Sequence, residues 1–249
     1  MSEPPTDILH EGLPSAPRER GRAPGVRPTQ LDLTVAMITM NEEKAVSQVI
    51  QDIRRVAPEA EILLVDSSKD ATPRIAETLG ARVIRQFPPK GYGPAMDLAL
   101  RSARGAVVVT MDCDDTYPAE RIPELARLVL DEGYDVVDAS RLRGKPAAMP
   151  WLNYLANYGF ALLASILFAR RITDLHSGMR AYRKSVIEHL HYRAHGAALP
   201  VELLLRPIKL GLKVKMVFID YRTRIGDSTM LPLQSAWWTL KRVLSVRFK

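Results

Sequence analysis

Cysteine is almost absent from this chain of 249 residues, and aromatic residues make up only 6% of it. The single cysteine, Cys113, excludes a disulfide within the chain and is typical of a protein that works in a reducing compartment. Its neighbours are acidic, and their negative charge should raise the pKa of the thiol and make it a poor nucleophile. We therefore interpret Cys113 as a packing residue and not as a catalytic one.

The first thirty residues lack the large apolar side chains that a folded core requires. They contain six prolines, three glycines and four arginines, a composition that is typical of disorder. They also lack the apolar segment of a secretory signal. We expect residues 1–30 to form a disordered tail, and we expect its removal to change melting and turnover very little.

Acidic residues are outnumbered by basic ones, and the formal net charge is +7. A positive balance favours anionic partners such as nucleotides, phosphates, membrane surfaces or nucleic acid. The basic residues are spread over the chain and no recognised nucleic-acid motif is present, so we predict no nucleic-acid partner. With 47% hydrophobic and 25% charged residues, the chain suits one large globular α/β domain.

A short run of valines that ends in three acids is the most informative stretch. Residues 106–111 are apolar, which is typical of a strand buried on both faces of a parallel sheet. Carboxylates as close as Asp112, Asp114 and Asp115 repel one another unless a cation neutralises them. A turn at Cys113 would bring Asp112 and Asp114 onto one Mg²⁺ or Mn²⁺ ion. The alternative is an acidic turn ahead of the next helix.

Strand and helix patterns alternate from residue 31 onward. Strands are predicted at residues 34–39, 61–65, 82–85 and 106–111, with helices at residues 45–56, 72–79 and 95–103. This order predicts a parallel sheet with helices on both faces. Polar side chains follow three of the strands, at Asn41, Asp66 and Asp112, and ligands of such sheets bind at the carboxyl ends of the strands. These three strand ends are candidates for one crevice.

Eight motifs follow one another in an order that carries a family resemblance. They are TMNEE, VDSSKDAT, KGYGPAMDLAL, MDCDDTYP, DVVDASR, TDLHSGMRAYRKSV, PVELLLRPIKLGLKV and YRTRIGDS. Together they resemble the inverting family 2 glycosyltransferases, and in particular the dolichyl- or polyprenyl-phosphate sugar synthases. The resemblance implies a GT-A fold with a Rossmann-like, mostly parallel sheet over residues 31–229. It also implies a nucleotide-sugar half at 31–141, an acceptor half at 142–229, and a basic amphipathic segment at 230–249.

The resemblance implies a set of residues at the nucleotide sugar. They are Thr39, Asn41, Glu42, Asp66, Lys90, Gly91, Asp97, Asp112, Cys113 and Asp114, with Asp112 and Asp114 on the metal ion. Glu42 matches the acid that holds ribose and base, and Asp66 matches the acid that hydrogen-bonds the base. Ser67 stands where relatives often have a second acid. For Glu42, Asp66 and Lys90 the alternatives are a helix cap, a turn and an ordinary loop.

A second set is implied at the acceptor and its phosphate. It consists of Ser140, Arg141, His176, Ser177, Arg180, Arg183, Glu202, Arg222, Arg224 and Ser228. Asp174 and Arg180 are implied to join Asp112 and Asp114 as catalytic residues. After Ser228 this chain has threonine where relatives often have lysine, which weakens the case for a phosphate-binding lysine. The alternatives are a solvated face for Arg180 and Arg183, and a structural role for His176.

The donor implied by the resemblance is a GDP- or UDP-sugar, and the acceptor follows from what the second half lacks. The region after Asp174 offers basic residues but no Glu-Asp pair, and it lacks the Q-x-x-R-W motif of processive relatives. A lipid phosphate is already ionised near pH 7 and needs no general base. We therefore expect polyprenyl phosphate as the acceptor. The alternatives are a soluble family 2 enzyme with a small hydroxyl acceptor, and a nucleotidyltransferase, which would usually need a Gly-rich basic signature near the first strand.

Two apolar stretches bear on the membrane. Residues 151–169 approach the length of a bilayer span, but a preceding proline and two asparagines argue against one. The resemblance implies that this stretch lies on the membrane surface, and a buried core helix is the alternative. Residues 233–249 contain four basic residues and no acid, with an apolar stripe at Leu233, Trp237, Leu240 and Leu244. We expect peripheral attachment to anionic lipid at the cytoplasmic face of the membrane.

Overall fold

A seven-stranded sheet runs through the part of the chain that the computed structural model describes, residues 32–226 and 232–249. The strands are β1 (Leu33–Thr39), β2 (Glu61–Asp66), β3 (Arg82–Arg85), β4 (Val107–Thr110), β5 (Val136–Ser140), β6 (Arg180–Arg183) and β7 (Val214–Phe218). In space their order is β3-β2-β1-β4-β6-β5-β7. The predicted tail and Ser228 lie outside the described residues.

The direction of β6 differs from that of the other strands in this sheet. β6 pairs antiparallel with both β4 and β5, whereas the pairs on either side of it are parallel. Thr110, at the end of β4, lies opposite Arg180, at the start of β6. The segment that enters β6 therefore reaches the same sheet edge at which Asp112 leaves β4. The mostly parallel α/β architecture expected from the sequence is confirmed.

Helices cover both faces of this sheet. They are α1 (Val46–Val56), α2 (Thr72–Thr78), α3 (Tyr92–Ser102), α4 (Ile122–Leu130), α5 (Trp151–Phe168), α6 (Lys184–His189), α7 (Leu199–Lys209) and α8 (Pro232–Phe248). α3 begins three residues before its predicted start. Pro94 lies in its first turn, where a missing backbone N–H breaks no helical hydrogen bond.

Apolar burial holds these layers together. Every residue of β2 and β4 is buried, as expected for central strands covered on both faces. One core cluster joins the sheet to α1 and α4, and a second joins it to α3 and α7. A third cluster lies between α5, α7 and α8 and includes Ala164, Leu204 and Val243.

The outer surface of α5 and α8 is apolar. In α5, Trp151 is 64% exposed and Ile166 is 70% exposed, while Ala161 and Ala164 face inward. In the described part of the chain, α5 is long and apolar enough to cross a membrane by length and composition. In α8, the predicted stripe faces outward at Trp237 and Leu244, and Phe248 is also exposed.

Candidate active site

Asp66, at the end of β2, is enclosed by donors from three strand ends. Its Oδ1 accepts hydrogen bonds from Thr39 Oγ1 at 2.7 Å and from Ser68 Oγ at 2.6 Å. Its Oδ2 accepts from the Ser68 backbone N–H and pairs with Arg85, at the end of β3. Asp66 therefore ties the carboxyl ends of β1, β2 and β3 together. Sequence reasoning missed Arg85, although a basic residue at the end of a neighbouring parallel strand was a usable signal.

Asn41 turns the chain out of β1 toward the crevice. Its φ of 63° lies in the left-handed region, which asparagine tolerates better than most residues. Its N–H donates to Ser68 Oγ at 2.8 Å, and its Oδ1 accepts from the Lys69 N–H at 2.9 Å. This turn places Glu42 over the crevice, where the Glu42 N–H donates to Thr72 Oγ1.

Glu42 lies near the acidic turn although it is about seventy residues away in sequence. Burial is the main cause that raises the pKa of Glu42 to about 7, and the charges of Asp114 and Asp112 add to it. Arg224 opposes this shift, because its Nη2 lies 3.4 Å from Glu42 Oε1 and 3.2 Å from Asp114 Oδ2. Arg224 therefore joins the two acids across the crevice, and its predicted contact with a phosphate stays a prediction.

The two acids of the turn have different surroundings. Asp114 is buried, and its Oδ1 accepts from the N–H and the hydroxyl of Thr116 at 3.1 and 2.6 Å. Asp112 is partly exposed, and burial followed by the charge of Asp114 raises its pKa to about 6. A Cβ atom on Gly178 would stand 2.8 Å from Asp112 Oδ2, so only glycine leaves room for this carboxylate.

These two carboxylates fit a hard divalent cation. Both side chains are anionic oxygen donors at one turn. The raised pKa of Asp112 indicates that the neighbouring arginines only partly compensate its negative charge. Within residues 32–226 and 232–249, no group of three or more His, Cys, Asp or Glu side chains is placed to hold a metal. Asp112 and Asp114 therefore stay the ligands predicted from the sequence, and one oxygen of Asp114 pairs with Arg224.

Cys113 points away from the crevice into the core. It is buried among the residues of the cluster beneath α1 and α4. Burial is the main reason that the pKa of its thiol lies well above the usual value, and Glu42 and Asp114 contribute. Its burial agrees with the interpretation as a packing residue, with burial rather than neighbouring charge as the larger cause of the pKa shift, and its place in the nucleotide-sugar set stays a prediction.

Arg141 and Asp174 form a bidentate ion pair on the acceptor side. Arg141 Nε and Nη2 donate to the two carboxylate oxygens at 2.7 and 3.0 Å, and its guanidinium also stacks over the Tyr221 ring. Burial opposes ionisation of Asp174, but Arg141 prevails and lowers the pKa of Asp174 to about 2. Asp174 is therefore a permanently charged partner of Arg141 and is unsuited to accept a proton.

Arg180 lies in the core rather than in the crevice. It is 1% exposed, and its guanidinium donates to Asp138, to the Leu175 carbonyl at 3.0 Å and to the Pro200 carbonyl. Burial raises the pKa of Asp138 to about 6, although Arg180 opposes the shift. The expected contact between Arg180 and a phosphate does not agree with this placement, because β6 turns the side chain inward against α7.

Three other predicted residues are placed away from the acidic turn. Asp97 accepts from Tyr192 Oη at 2.6 Å on the side of α3. Arg183 lies at the far end of β6 and donates to the Val129 carbonyl at 2.7 Å, because β6 runs antiparallel to β4. Glu202 is buried on α7 and pairs with Arg206 and with Arg242 of α8.

The remaining predicted residues lie in loops or, like Ser140, at the end of a strand. Lys90 and Gly91 are exposed between β3 and α3. Ser140 and Ser177 are buried, and Ser177 Oγ donates to the Ala139 carbonyl at 2.6 Å. His176 Nε2 lies 2.8 Å from Thr239 Oγ1, and burial lowers the pKa of His176 to about 4. A neutral, enclosed imidazole agrees with the structural alternative for His176.

Tyr117 is a site residue that sequence reasoning did not identify. Its hydroxyl accepts from the Gly178 N–H at 2.7 Å, and its ring meets Tyr221 edge-on at 5.7 Å between centroids. Tyr117 thereby joins the acidic turn to the segment before β6. The signal was present in the quoted motif MDCDDTYP, but only the acids of that motif were considered.

A mostly parallel sheet with acids at the carboxyl ends of its strands belongs to the α/β class of folds, in which ligands bind at that edge. The glycosyl transferase family 2 model matches residues 34–191, and the chain belongs to this family. It is therefore a glycosyltransferase. The matched region includes the acidic turn and the segment before β6 but ends ahead of α7 and α8.

Two relatives and one solved structure describe the similarity further. A dolichyl-phosphate hexose transferase of Haloferax volcanii is 44% identical over 202 residues, covering 81% of this chain and 87% of that protein. A polyprenol monophosphomannose synthase of Mycolicibacterium smegmatis is 31% identical over 241 residues, covering 87% and 89%. The glucosyl-3-phosphoglycerate synthase of Mycobacterium tuberculosis, solved with Mn²⁺, UDP and glucosyl-3-phosphoglycerate, gives a TM-score of 0.70 at 22% identity, covering 87% and 80%. This last likeness shows the fold.

Proposed function

We propose that the chain transfers a sugar from a nucleoside-diphosphate sugar to a polyprenyl phosphate, with inversion at the anomeric carbon. The observation that carries this proposal is a path of two adjoining cavities. It leads from the apolar face of α5 to Arg222, next to the acidic turn. Similarity to a dolichyl-phosphate hexose transferase and a polyprenol monophosphomannose synthase supports the same substrate class.

Both cavities are lined partly by arginines; the one beside α5 adds apolar side chains, and the other adds the acids Glu120 and Asp220. The cavity beside α5 has a volume of about 630 Å³ and is lined by Tyr158, Leu162 and Ile166. The second cavity, of about 380 Å³, is lined by Arg222 and further arginines. Arg143 and Phe218 line both, so that the two cavities adjoin. The apolar side chains of this lining suit an isoprenoid chain, and its arginines suit a terminal phosphate.

The charge of the surrounding segment suits an anionic lipid. Residues 142–173 contain no acid, and their basic residues are Arg143, Lys145, Arg170 and Arg171. Arg143, Arg170 and Arg171 are exposed at the edge of the larger cavity. Arginine forks pair with phosphate in bidentate fashion, which gives both affinity and orientation.

At the donor, we assign the nucleoside to the strand ends that carry Glu42 and Asp66. Asp112 and Asp114 would hold Mg²⁺ or Mn²⁺. When bound, such an ion supplies positive charge that stabilises the diphosphate leaving group. Arg224 lies between Glu42 and Asp114, within reach of the same phosphates. The donor is a GDP- or UDP-sugar.

The transfer itself requires no general base. An ionised oxygen of the acceptor phosphate forms the bond to C1 while the bond from C1 to the diphosphate oxygen breaks, and the nucleoside diphosphate leaves with that electron pair. The proton has already left the acceptor near pH 7. Arg222 orients the acceptor phosphate by exchanging its partly exposed partners, Glu120 at 3.0 Å and Asp115 at 3.7 Å.

The membrane is the source of the acceptor in this proposal. The outer faces of α5 and α8 are apolar, and neither helix contains an acid. Lys241, Arg247 and Lys249 are exposed around this surface. We propose that the protein rests on anionic lipid at the cytoplasmic face, with the α5 cavity open to the bilayer.

The test uses labelled donor and a choice of acceptors. GDP-mannose, UDP-glucose and UDP-N-acetylglucosamine are each incubated with enzyme, Mn²⁺ and anionic vesicles that contain a polyprenyl phosphate. We expect one donor to move label into the organic phase, and we expect no transfer to the matched polyprenol, which lacks the phosphate. Label transferred instead to a soluble alcohol would contradict the lipid acceptor and support the small-molecule alternative.

A further inference from the structure

The inner face of α8 carries two polar contacts in an otherwise apolar packing. Val243 and Val246 pack in the cluster between α5, α7 and α8. Thr239 is 2% exposed, and its Oγ1 lies 2.8 Å from His176 Nε2. Arg242 is 9% exposed and pairs with Glu202 on α7. Both contacts connect α8 to other parts of the chain.

His176 belongs to the segment that enters β6 beside the acidic turn. Its backbone N–H donates to Asp174 Oδ1 at 2.9 Å, and Asp174 is held in turn by Arg141. Two residues later, Gly178 lies against the Asp112 carboxylate and donates its N–H to Tyr117 Oη. The segment 174–178 thus contacts α8 through His176 and contacts Asp112 through Gly178.

The His176 ring has few other polar constraints. Its Nδ1 atom is shielded from solvent and has no hydrogen-bond partner among the described residues. The ring meets Phe160 of α5 edge-on, with 6.0 Å between centroids. The Thr239 hydroxyl is therefore the polar contact that fixes the orientation of this imidazole in the described part of the chain.

From these contacts we infer that Thr239 is a positioning residue of the active site. It acts through His176 to hold the segment 174–178, so that Gly178 stays packed against Asp112. Arg242 keeps α8 docked on α7 independently, through Glu202 and through the His195 carbonyl at 2.7 Å. The inference rests on the proposed function, because sugar transfer is one of its two readouts.

The test compares two substitutions at residue 239. Thr239→Val keeps the shape of the side chain and removes the hydroxyl, whereas Thr239→Ser keeps the hydroxyl. We expect Thr239→Val to lower kcat for transfer on the order of tenfold, the effect of one lost hydrogen bond of about 1 to 1.5 kcal/mol. The KM for the sugar nucleotide should stay near the wild-type value, and Thr239→Ser should restore kcat.

A second readout does not depend on activity. Amide hydrogen exchange of the segment 174–178 should speed up in Thr239→Val and remain near wild type in Thr239→Ser, since the His176 amide donates to Asp174 within the segment and the Gly178 amide donates to Tyr117 Oη. Val243→Ala is the matched control on the same buried face. It should lower the melting temperature through a cavity while leaving kcat unchanged at lower temperature.

The outcomes separate this inference from the proposed function. Unchanged exchange in Thr239→Val overturns the positioning role, whether or not the wild-type enzyme transfers sugar. Faster exchange with an unchanged kcat overturns it as well. Absence of polyprenyl phosphate transfer by the wild-type enzyme contradicts the proposed function, while faster exchange in Thr239→Val would still support the positioning of segment 174–178 by α8.

Discussion

The acidic crevice and the outer surface of the layer formed by α5, α7 and α8 hold their charges in opposite ways. In the crevice, Asp66 and Asp114 are buried and their oxygens accept hydrogen bonds from the same or neighbouring strand ends. In the helical layer, cations such as Arg170 and Lys241 are exposed beside apolar side chains. A buried, hydrogen-bonded carboxylate suits a fixed ligand geometry, whereas an exposed cation suits a fluid, anionic surface.

The largest effect expected is at the crevice. Asp114→Asn removes one anionic oxygen while asparagine can still accept from Thr116, so the fold should persist. We expect divalent-dependent transfer to fall by roughly a hundredfold or more, because charge stabilisation of the leaving group is lost. Turnover in Mn²⁺, with circular dichroism as a check on folding, measures this. Asp131→Asn, at the end of α4, is the control. Full activity of Asp114→Asn, or of the wild-type enzyme in EDTA, would exclude the metal role.

The corresponding change in the helical layer removes exposed cations. Replacing Lys241, Arg247 and Lys249 together by alanine should weaken binding to anionic vesicles about a hundredfold, at roughly 1 kcal/mol for each charge near the surface. Arg242 does not belong in this set, because it is buried against Glu202. Vesicle co-sedimentation gives the affinity.

Neutral vesicles provide the control for this loss. The triple variant and the wild-type protein should bind them equally, because the apolar surface is unchanged. Equal binding of both proteins to anionic vesicles would show that these three cations do not face lipid. The acidic crevice and the helical layer would then differ in packing but not in the use of their charges.

Arg222 lies where the two regions meet. Arg222→Ala should raise the apparent KM for the lipid phosphate about tenfold, the effect of losing charge-assisted hydrogen bonds of about 1.5 kcal/mol. The KM for the sugar nucleotide should change much less. Arg224→Ala should raise both constants, since Arg224 lies between Glu42 and Asp114. If the KM for the lipid phosphate is unchanged in Arg222→Ala, Arg222 does not bind the acceptor.

The smallest effect expected concerns pH and His176, which joins the two regions. Burial lowers its pKa from 6.5 to about 4, so the unfolded chain binds a proton first as pH falls. The stabilisation is complete above pH 6.5 and is lost as the pH falls toward 4. Relative to His176→Gln, the wild-type protein should lose about 1 kcal/mol of unfolding free energy between pH 6.5 and 5.5.

Urea unfolding of both proteins across this pH range checks the effect. Asp138 is common to both proteins, and Asp174, with a pKa of about 2 in the folded protein, stays charged in this range. The difference in unfolding free energy between the two proteins should be independent of pH only if His176 has its ordinary pKa in the folded protein. A flat difference would therefore mean that the imidazole is open to solvent and does not link α8 to the segment before β6.

Local patterns were sufficient to predict much of the fold. The apolar runs of β1 and β4, and the apolar spacing of α1, have periods that do not depend on distant residues, and their boundaries agree to within one or two residues. Parallel strands bring their carboxyl ends to one edge, so Asn41, Asp66 and Asp112 were expected near one another and are found at the same edge.

Long-range packing decided the placements that the sequence could not predict. Arg180 and Arg183 are three residues apart, yet one lies in the core beside Asp138 and the other at the opposite end of the strand. Three residues of strand span about 10 Å, and the antiparallel direction of β6 alone decides which end faces the crevice. The residues of β6 and its neighbours in sequence do not indicate whether β6 runs parallel or antiparallel to β4.

The sequence by itself determined the α/β class, the run of strand-end acids and the basic, acid-free character of residues 142–173 and 232–249. These properties follow from composition and short periods. Only the tertiary structure decided that Arg242 closes over Glu202, that Thr239 contacts His176 and that Arg224 lies between Glu42 and Asp114. Each of these contacts joins residues 40 or more positions apart, and such pairs form only when helices and strands pack against one another.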